Sequence, residues 1–509
     1  MNRRSFLAAS GITFAGAMAN HLYAENPLSK GAVLERLTVD TNRATGPLPH
    51  FWEKCFGSDR VAIGLRAAWR DDLVHTQPLT GMQAVRCHGL FDDEVGIAQA
   101  GSGSWNFLYL DQIYDFMLDH GVRPFVELSF MPEAMATSAY RIEFYRGNVS
   151  PPRRWSDWFD MVQAFSRHCI QRYGIQEVST WKFEVWNEPN ITFWTGSQQD
   201  YFELYRQSAL ALKQVDRRLS VGGPATAQLS WIPDLIQYCA TKGVPLDFVS
   251  SHVYPSDPQK HIFGKSNAYP YDQVIPAGIR LAKQQIESSP MPHLPLWITE
   301  WTSQNPAFIA HTLSQCIGFT EAMSYWTFSN AFEESGVPGG VFNPLFGLVE
   351  QWGIERPSLH AFNCLHRLGE IRLRASDGPI LATKRKDGSL AILIWNLIPN
   401  ESPEDLAGEN PMGQGSEANG SSGEKTMHVK LEGWSGRNSV KMSQVSQSRS
   451  SAIPRWKKMG KPQYPSRDQI AELRKASELP SPQNAVLDSN GALTIALPAD
   501  GLALLELTN

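Results

Sequence analysis

The sequence predicts an α/β protein: a parallel (β/α)₈ TIM barrel with an accessory C-terminal β-sandwich. Three observations carry this. Between residues 51 and 368, short apolar runs alternate eight times with stretches whose apolar residues recur at helical spacing, the pattern of a parallel sheet with crossover helices. That span is close to the roughly 250 residues or more that such a barrel needs. Beyond residue 375 the period drops to two, with short alternating runs parted by turn residues, as in a sandwich.

Each element is read from local pattern. Residues 32–40 form an isolated strand, so 25–49 is expected to join the sandwich. The barrel is expected over 50–375, with its first strand at 51–57 and its second at 84–89, where Arg86 and His88 occupy alternate positions. Leu110, Ile113, Phe116 and Met117 make a helical face that stops at Gly121. The third strand is 124–129. Trp158, Val162, Phe165 and Cys169 make the next stripe, ending at Gly174, and the fourth strand is 182–186. Helical faces at Phe202–Tyr205–Ala209–Leu212 and Trp231–Leu235–Ile236–Cys239 precede strands at 219–222 and 248–252. A helix at 279–286 leads to the seventh strand, 296–301. Phe308, Thr312, Leu313 and Cys316 lead to the eighth, 322–328, and 357–368 closes the barrel. The sandwich, 376–509, has strands at 380–384, 390–397, 427–431, 493–497 and 503–507. It holds a Gly, Ser, Glu and Asn-rich loop at 400–425 and a helical segment near 466–476 that is placed to lie back over the barrel.

Composition narrows the function. Forty-six basic against 51 acidic residues leave a net charge of −5 with no basic stripe, which argues against nucleic acid as a partner. The six cysteines are scattered, without CxxC pairs or zinc-spaced histidines, so no metal, cofactor or dense disulfide framework is predicted. Asn2-Arg3-Arg4-Ser5-Phe6-Leu7 and the apolar run to Ala19 resemble a twin-arginine export signal within residues 1–24, with cleavage after Ala19 or Ala24. The run is too short for a lasting membrane anchor, so a periplasmic or secreted protein is expected, with no membrane partner once the signal is removed.

The chemistry is read from two strand ends. Trp181–Asn190, WKFEVWNEPN, places Glu188 at the tip of the fourth strand, where Pro189 is expected to keep its backbone out of the helical region. Leu296–Trp301, LWITEW, places Glu300 at the tip of the seventh. A single strand-end glutamate is more often solvated or salt-bridged. A pair at the C-terminal face of a barrel is what glycosidic cleavage requires, one carboxyl protonated and the other ionised. Asn187 can bond a sugar hydroxyl beside the reacting carbon, and Tyr254, two residues after His252, can donate to an ionised Glu300. Phe183, Trp186 and Phe193, with the charge of Glu300, are expected to keep Glu188 protonated. Trp326 stands near the end of the eighth strand.

The blocks RCHGLFDDE (86–94), PFVELSFMPEAMA (124–136), FEVWNEPN (183–190), SSHVYP (250–255), WITEW (297–301) and SYWTFSNAFEESG (324–336) together resemble glycoside hydrolase family 39. The resemblance spans roughly 51–368, and 459–474 is similar to the tail of bacterial β-xylosidases of that family. It implies a retaining enzyme with Glu188 as acid/base and Glu300 as nucleophile. It further implies that His88, Asn187, His252, Tyr254 and Glu334 contact the sugar or support the pair, and that Phe130, Phe193 and Trp326 wall the pocket. Two positions depart from the family pattern: Asn330 stands for a usual Asp and Arg356 for a common Lys.

The expected function is a retaining exo-β-xylosidase acting on xylo-oligosaccharides. The alternatives are the same mechanism on a β-glucoside, β-galactoside, α-L-arabinoside or uronide, and a non-catalytic carbohydrate-binding protein.

Overall fold

The computed structural model describes residues 33–98, 104–343, 345–399 and 423–508. The export signal with both cleavage options, and residues 400–422 of the predicted loop, lie outside them.

Eight parallel strands close a barrel in the order seventh, eighth, first, second, third, fourth, fifth, sixth. The strands are Phe56–Arg60, Ala84–His88, Arg123–Leu128, Lys182–Val185, Ser220–Thr226, Phe248–His252, Leu296–Trp301 and Ala322–Tyr325. Their inward residues stack in layers. The lowest holds Ala84, Phe125, Phe248 and Trp297 with Cys55 and Ala322. Two residues beyond Ala84, Phe125 and Trp297 come Arg86, Glu127 and Thr299, with Glu184 of the fourth strand paired level with Glu127, so charge begins one layer above an apolar floor. The outward residues pack on the helices in one large core.

The first strand begins later than its apolar run suggests. Phe51 and Trp52 are 1% and 0% exposed but sit in a turn below the barrel, closed by Phe51 N–H donating to Pro49 O and Glu53 N–H to His50 O. Burial alone therefore mimicked a strand. A helix at Ala67–Thr80, which the periodicity did not reveal, follows the first strand. Its apolar face is interrupted by charged residues, and Pro78 sits in its last turn.

Among the described residues, the accessory part is one continuous nine-stranded sheet. Val33–Pro47 runs antiparallel to Ile371–Ala375 and parallel to Lys425–Glu432, so the N-terminal segment lies inside this sheet. Strands Ile371–Ala375, Ser439–Val445 and Gln483–Val486 were not legible from pattern. The sheet folds over, so Leu37 and Met427 share a core with Leu390, Val440 and Leu505. Helices Ile453–Lys458 and Arg467–Ser477 leave the sheet and pack on the barrel, where Leu473 and Ala452 bury against Val341 and Ile354. All six cysteines are buried free thiols.

Candidate active site

The C-terminal ends of the barrel strands bring ionisable residues from six parts of the chain together. At its centre is Arg86, 0% exposed. Its guanidinium donates to Glu184 at 2.5 Å, Glu300 Oε1 at 2.7 Å and Asn187 Oδ1 at 3.0 Å, and lies 2.8 Å from Glu127. Burial opposes its charge, but the surrounding carboxylates hold its pKa well above the ordinary value. The bond to Asn187 Oδ1 orients that amide, leaving its nitrogen as the donor for a ligand.

Glu300 reaches Arg86 because the pairing register shifts between Ile298 and Glu300. Strict alternation would turn Thr299 inward and Glu300 outward. Thr299 does point in, donating to Glu184 at 2.8 Å, and the irregularity turns Glu300 in as well. Its second oxygen accepts from Tyr254 Oη at 2.7 Å.

Glu188 is held by an unusual backbone. Its φ is +42°, and that of Trp186 is +72°, so both occupy the left-handed region, and Glu188 stays out of the right-handed helical one as expected before Pro189. Glu188 N–H donates to Ala225 O at 2.8 Å, which anchors the turn. The side chain, 13% exposed, accepts from His252 Nδ1 at 3.0 Å. Arg86 has no acceptor and faces His252 Nε2 at 3.4 Å, so Nε2 is the acceptor and Nδ1 carries the hydrogen. Burial pushes His252 down to about 4, which keeps it neutral near pH 7.

Burial is also the leading cause of the Glu188 shift, up to about 7. The charges of His88 and Arg86 oppose it, and that of Glu127 adds to it. The expected apolar surround is only partly present. Phe183 points out of the barrel onto Phe165, at 6.4 Å between ring centroids, because the inward position on its strand belongs to Glu184. Trp186 packs on Phe130 at 5.3 Å and bonds Phe193 O.

His88 Nδ1 lies 2.8 Å from Glu127, and its Nε2 lies 3.5 Å from Glu334 and 3.9 Å from Glu300. Burial again opposes the charge, but Glu127 above all raises His88 well above the ordinary histidine value. Glu334 is pushed up to about 7 by burial, against the pull of His88. Trp326, Phe130 and Phe193 surround the His88 ring at 4.7, 6.1 and 6.4 Å, so each of the predicted site residues falls in this one cluster. Glu127 and Glu184 were missed, and Arg86 was noted without a role. A signal existed: charged residues at inward positions of otherwise apolar strands must be paired.

Asn330 and Arg356 meet on one side chain. Asn330 Nδ2 donates to Glu350 at 3.0 Å and Arg356 pairs with the same carboxylate, beneath the loop that follows the eighth strand. Asn330 is 0% exposed and braces that loop, and an aspartate there would set two carboxylates face to face.

Among the described residues, two trios offer converging ligand atoms that could hold a cation: Glu188, His252 and Glu300, and, below the barrel, His50, Glu53 and His366. Spacing along the chain could not reveal either. In the first trio the three atoms lie within 4.8 Å of one another, so an oxygen of Glu188 faces one of Glu300 inside that distance.

The sequence profile of Glycosyl hydrolases family 39 matches residues 35–493. A β-xylosidase of Geobacillus stearothermophilus is 36% identical over 487 residues, 90% of this chain and 92% of its own length. The crystal structure of a monomeric β-xylosidase from Caulobacter crescentus CB15 matches with a TM-score of 0.83 at 31% identity, over 93% of this chain and 99% of that one. The human α-L-iduronidase is similar over a smaller part, 26% identical over 266 residues, 46% of this chain and 38% of the relative. Because the profile runs through barrel and accessory sheet alike, and a relative matches along nine tenths of the sequence, this chain is a glycoside hydrolase belonging to family 39.

Proposed function

We propose that the enzyme is an exo-β-xylosidase that releases xylose from the non-reducing ends of xylo-oligosaccharides with retention of configuration. The observation that carries the mechanism is the facing pair, with oxygens of Glu188 and Glu300 within 4.8 Å. Retaining glycosidases place their carboxyls about 5–5.5 Å apart, whereas inverting ones need about 6.5–9.5 Å to seat a water. The glycone assignment is supported by the β-xylosidases similar to this chain along most of its length.

In the first step Glu300 attacks the anomeric carbon while Glu188, its proton retained by burial, protonates the departing oxygen. A glycosyl ester on Glu300 results. In the second, Glu188 takes a proton from water, the water oxygen attacks the same carbon, and the ester bond breaks to restore Glu300. Asn187 Nδ2 donates to the hydroxyl next to the reacting carbon, where charge develops.

The partial similarity to α-L-iduronidase gives a second reading, a uronide glycone. Rates on a panel of aryl β-xyloside, β-glucoside, β-galactoside, α-L-arabinoside and uronide should favour the β-xyloside. Absence of that preference overturns the glycone. Early-time proton NMR should show the β-anomer of xylose first, and first appearance of the α-anomer overturns double displacement. We also infer export, from the Arg3-Arg4 segment. Among the described residues no helix is long and apolar enough to cross a membrane.

A further inference from the structure

Below the barrel, at the end away from the catalytic pair, the fold brings together three ligating side chains that the reaction does not use. His50 Nδ1 lies 2.6 Å from Glu53 Oε1, and His366 Nδ1 lies 2.9 Å from the same oxygen. His50 and Glu53 share the turn ahead of the first strand, closed by Glu53 N–H donating to His50 O at 3.0 Å. His366 comes 313 positions after Glu53, at the end of the closing helix Pro357–His366. Packed neighbours fix all three. Glu53 O accepts from Gln83 N–H at 2.8 Å, just ahead of the second strand, and Trp52 stacks on the His50 ring at 5.0 Å between centroids. Asn363 Nδ2 donates to Leu79 O at 3.1 Å, which ties the closing helix to the last turn of Ala67–Thr80.

This donor set has the chemistry of a transition-metal site. Two imidazole nitrogens and one carboxylate suit zinc and its neighbours, whereas magnesium and calcium take oxygen ligands. Burial opposes the Glu53 charge, but the bonds from His366 and His50 hold its carboxyl below the ordinary value, so it is an anion. Among the described residues no Lys or Arg pairs with it. The catalytic trio differs here, because Arg86 donates to Glu300 at 2.7 Å and opposes a second cation beside it. The chain around the lower trio also leaves room. Gly81, at φ +68°, caps the helix Ala67–Thr80, and a side chain on it would begin 2.4 Å from His366 Nδ1 and 2.7 Å from Glu53 Oε2. Glycine keeps both ligating groups uncovered where any other residue would fill the space. Solvent reaches the site through His366, whose side chain is 37% exposed against 9% for Glu53. Zinc bonds of about 2.0–2.2 Å in a tetrahedron set ligand atoms about 3.3–3.5 Å apart, so each imidazole need retreat from Glu53 by less than about 1 Å.

We propose that His50, Glu53 and His366 form a binding site for a divalent transition cation of the zinc class, with water in the fourth position, and that the cation staples the closing helix to the turn that begins the barrel. On binding, each Nδ1 passes its hydrogen to Nε2 or, from a charged ring, to solvent, and its lone pair goes to the metal. The staple lies at the seam of the barrel. Among the described residues the first and eighth strands pair at one position, Phe56 with Tyr325, so a cross-link between the segments flanking them reinforces the closure where the sheet is thinnest. The inference is independent of the glycosidase reading.

Untagged protein, treated with chelator and then freed of it, is titrated with cobalt(II), whose tetrahedral complexes absorb in the visible. The wild type should develop that absorption to saturation at one cobalt per chain and lose it when zinc is added. Zinc at about 100-fold over its Kd should raise Tm by about 3 °C or more. His366→Ala should lose both responses, and Glu53→Gln, which keeps the shape of the side chain without its charge, should weaken binding about tenfold or more. A wild type with neither the absorption nor the shift in Tm overturns the proposal. So does a response that persists undiminished in His366→Ala, because the cation then sits elsewhere. If neither variant folds, anomalous X-ray scattering from zinc-soaked crystals of the wild type decides: a peak among the three side chains supports the site, and its absence there overturns it.

Discussion

At the scale of single residues, the pocket gives chemically identical side chains different surroundings, and on the proposed mechanism different duties. Glu188, raised to about 7 by burial, retains a proton that Glu300, already accepting from Arg86 and Tyr254, is not placed to supply. Glu188→Ala should therefore slow cleavage of xylobiose about a hundredfold or more, while the first step on a dinitrophenyl glycoside, whose leaving group needs no proton, is largely spared. Steady-state and pre-steady-state rates on both substrates check this, and equal losses would remove the acid role. The same group sets a pH limb: an acid must be protonated, so kcat/KM on poor leaving groups should fall as pH rises through about 7. Glu334 titrates in the same range, so the assignment comes from the dinitrophenyl substrate, on which the Glu188 limb should vanish. Arg86 is the structural keystone of the site. Arg86→Met would leave Glu127, Glu184 and Glu300 buried without their shared cation, a loss of about 3–5 kcal/mol expected for breaking such a network. Chemical denaturation reads it, and unchanged stability would show that the carboxylates find other partners.

At the scale of elements, strand ends and caps decide where side chains go. The register shift at 298–300 and the left-handed turn at Glu188 are local irregularities in otherwise regular strands, and they are what aim both carboxylates inward. A residue at φ +42° costs on the order of 1 kcal/mol or more, tolerated here because the turn is bonded to Ala225 O. In the accessory domain, helix Arg467–Ser477 begins with a reciprocal cap, Ser466 Oγ accepting from Gln469 N–H and Gln469 Oε1 accepting from Ser466 N–H. Ser466→Ala should cost about 1 kcal/mol, and by the scaling for domains of this size lower Tm by about 2–4 °C. Calorimetry tests this, and no shift would mean that Leu473 and the packing around it hold the helix without its cap.

For the molecule as a whole, the two parts are joined by more than sequence. The N-terminal strand is stitched between Ile371–Ala375 and Lys425–Glu432, so the chain enters through the accessory sheet before it builds the barrel. Arg367 at the end of the closing helix pairs with Glu506, and Arg385 bonds the same carboxylate, which ties the sheet to the barrel through a shared ion network. Export is the prediction that belongs at this scale. Replacing Arg3 and Arg4 with Lys should leave precursor in the cytoplasm, read by fractionation and immunoblot. Mature protein reaching the periplasm at the normal rate would exclude the twin-arginine route.

The alternation of apolar runs, the turn residues and the strand-end motifs were enough to determine the barrel, the order of its strands and the placing of Glu188 and Glu300 at strand ends, because each depends on patterns spanning ten or so neighbouring residues. What those patterns could not determine was direction and partnership. Alternation by itself places Glu300 outside the barrel. Its inward turn follows from a register shift set by pairing with the sixth strand. Arg86, Glu127, Glu184 and Glu300 are far apart in sequence, and only barrel closure makes one ion network of them. The turn at 51–54 and the helix at Ala67–Thr80 escaped for related reasons: burial of Phe51 and Trp52 copied a strand, and a face crossed by charges hid a helix. Pattern reports how much of a segment is apolar and at what period. Which buried charge meets which is decided by contacts between segments distant in the chain, and those exist only once the chain has folded.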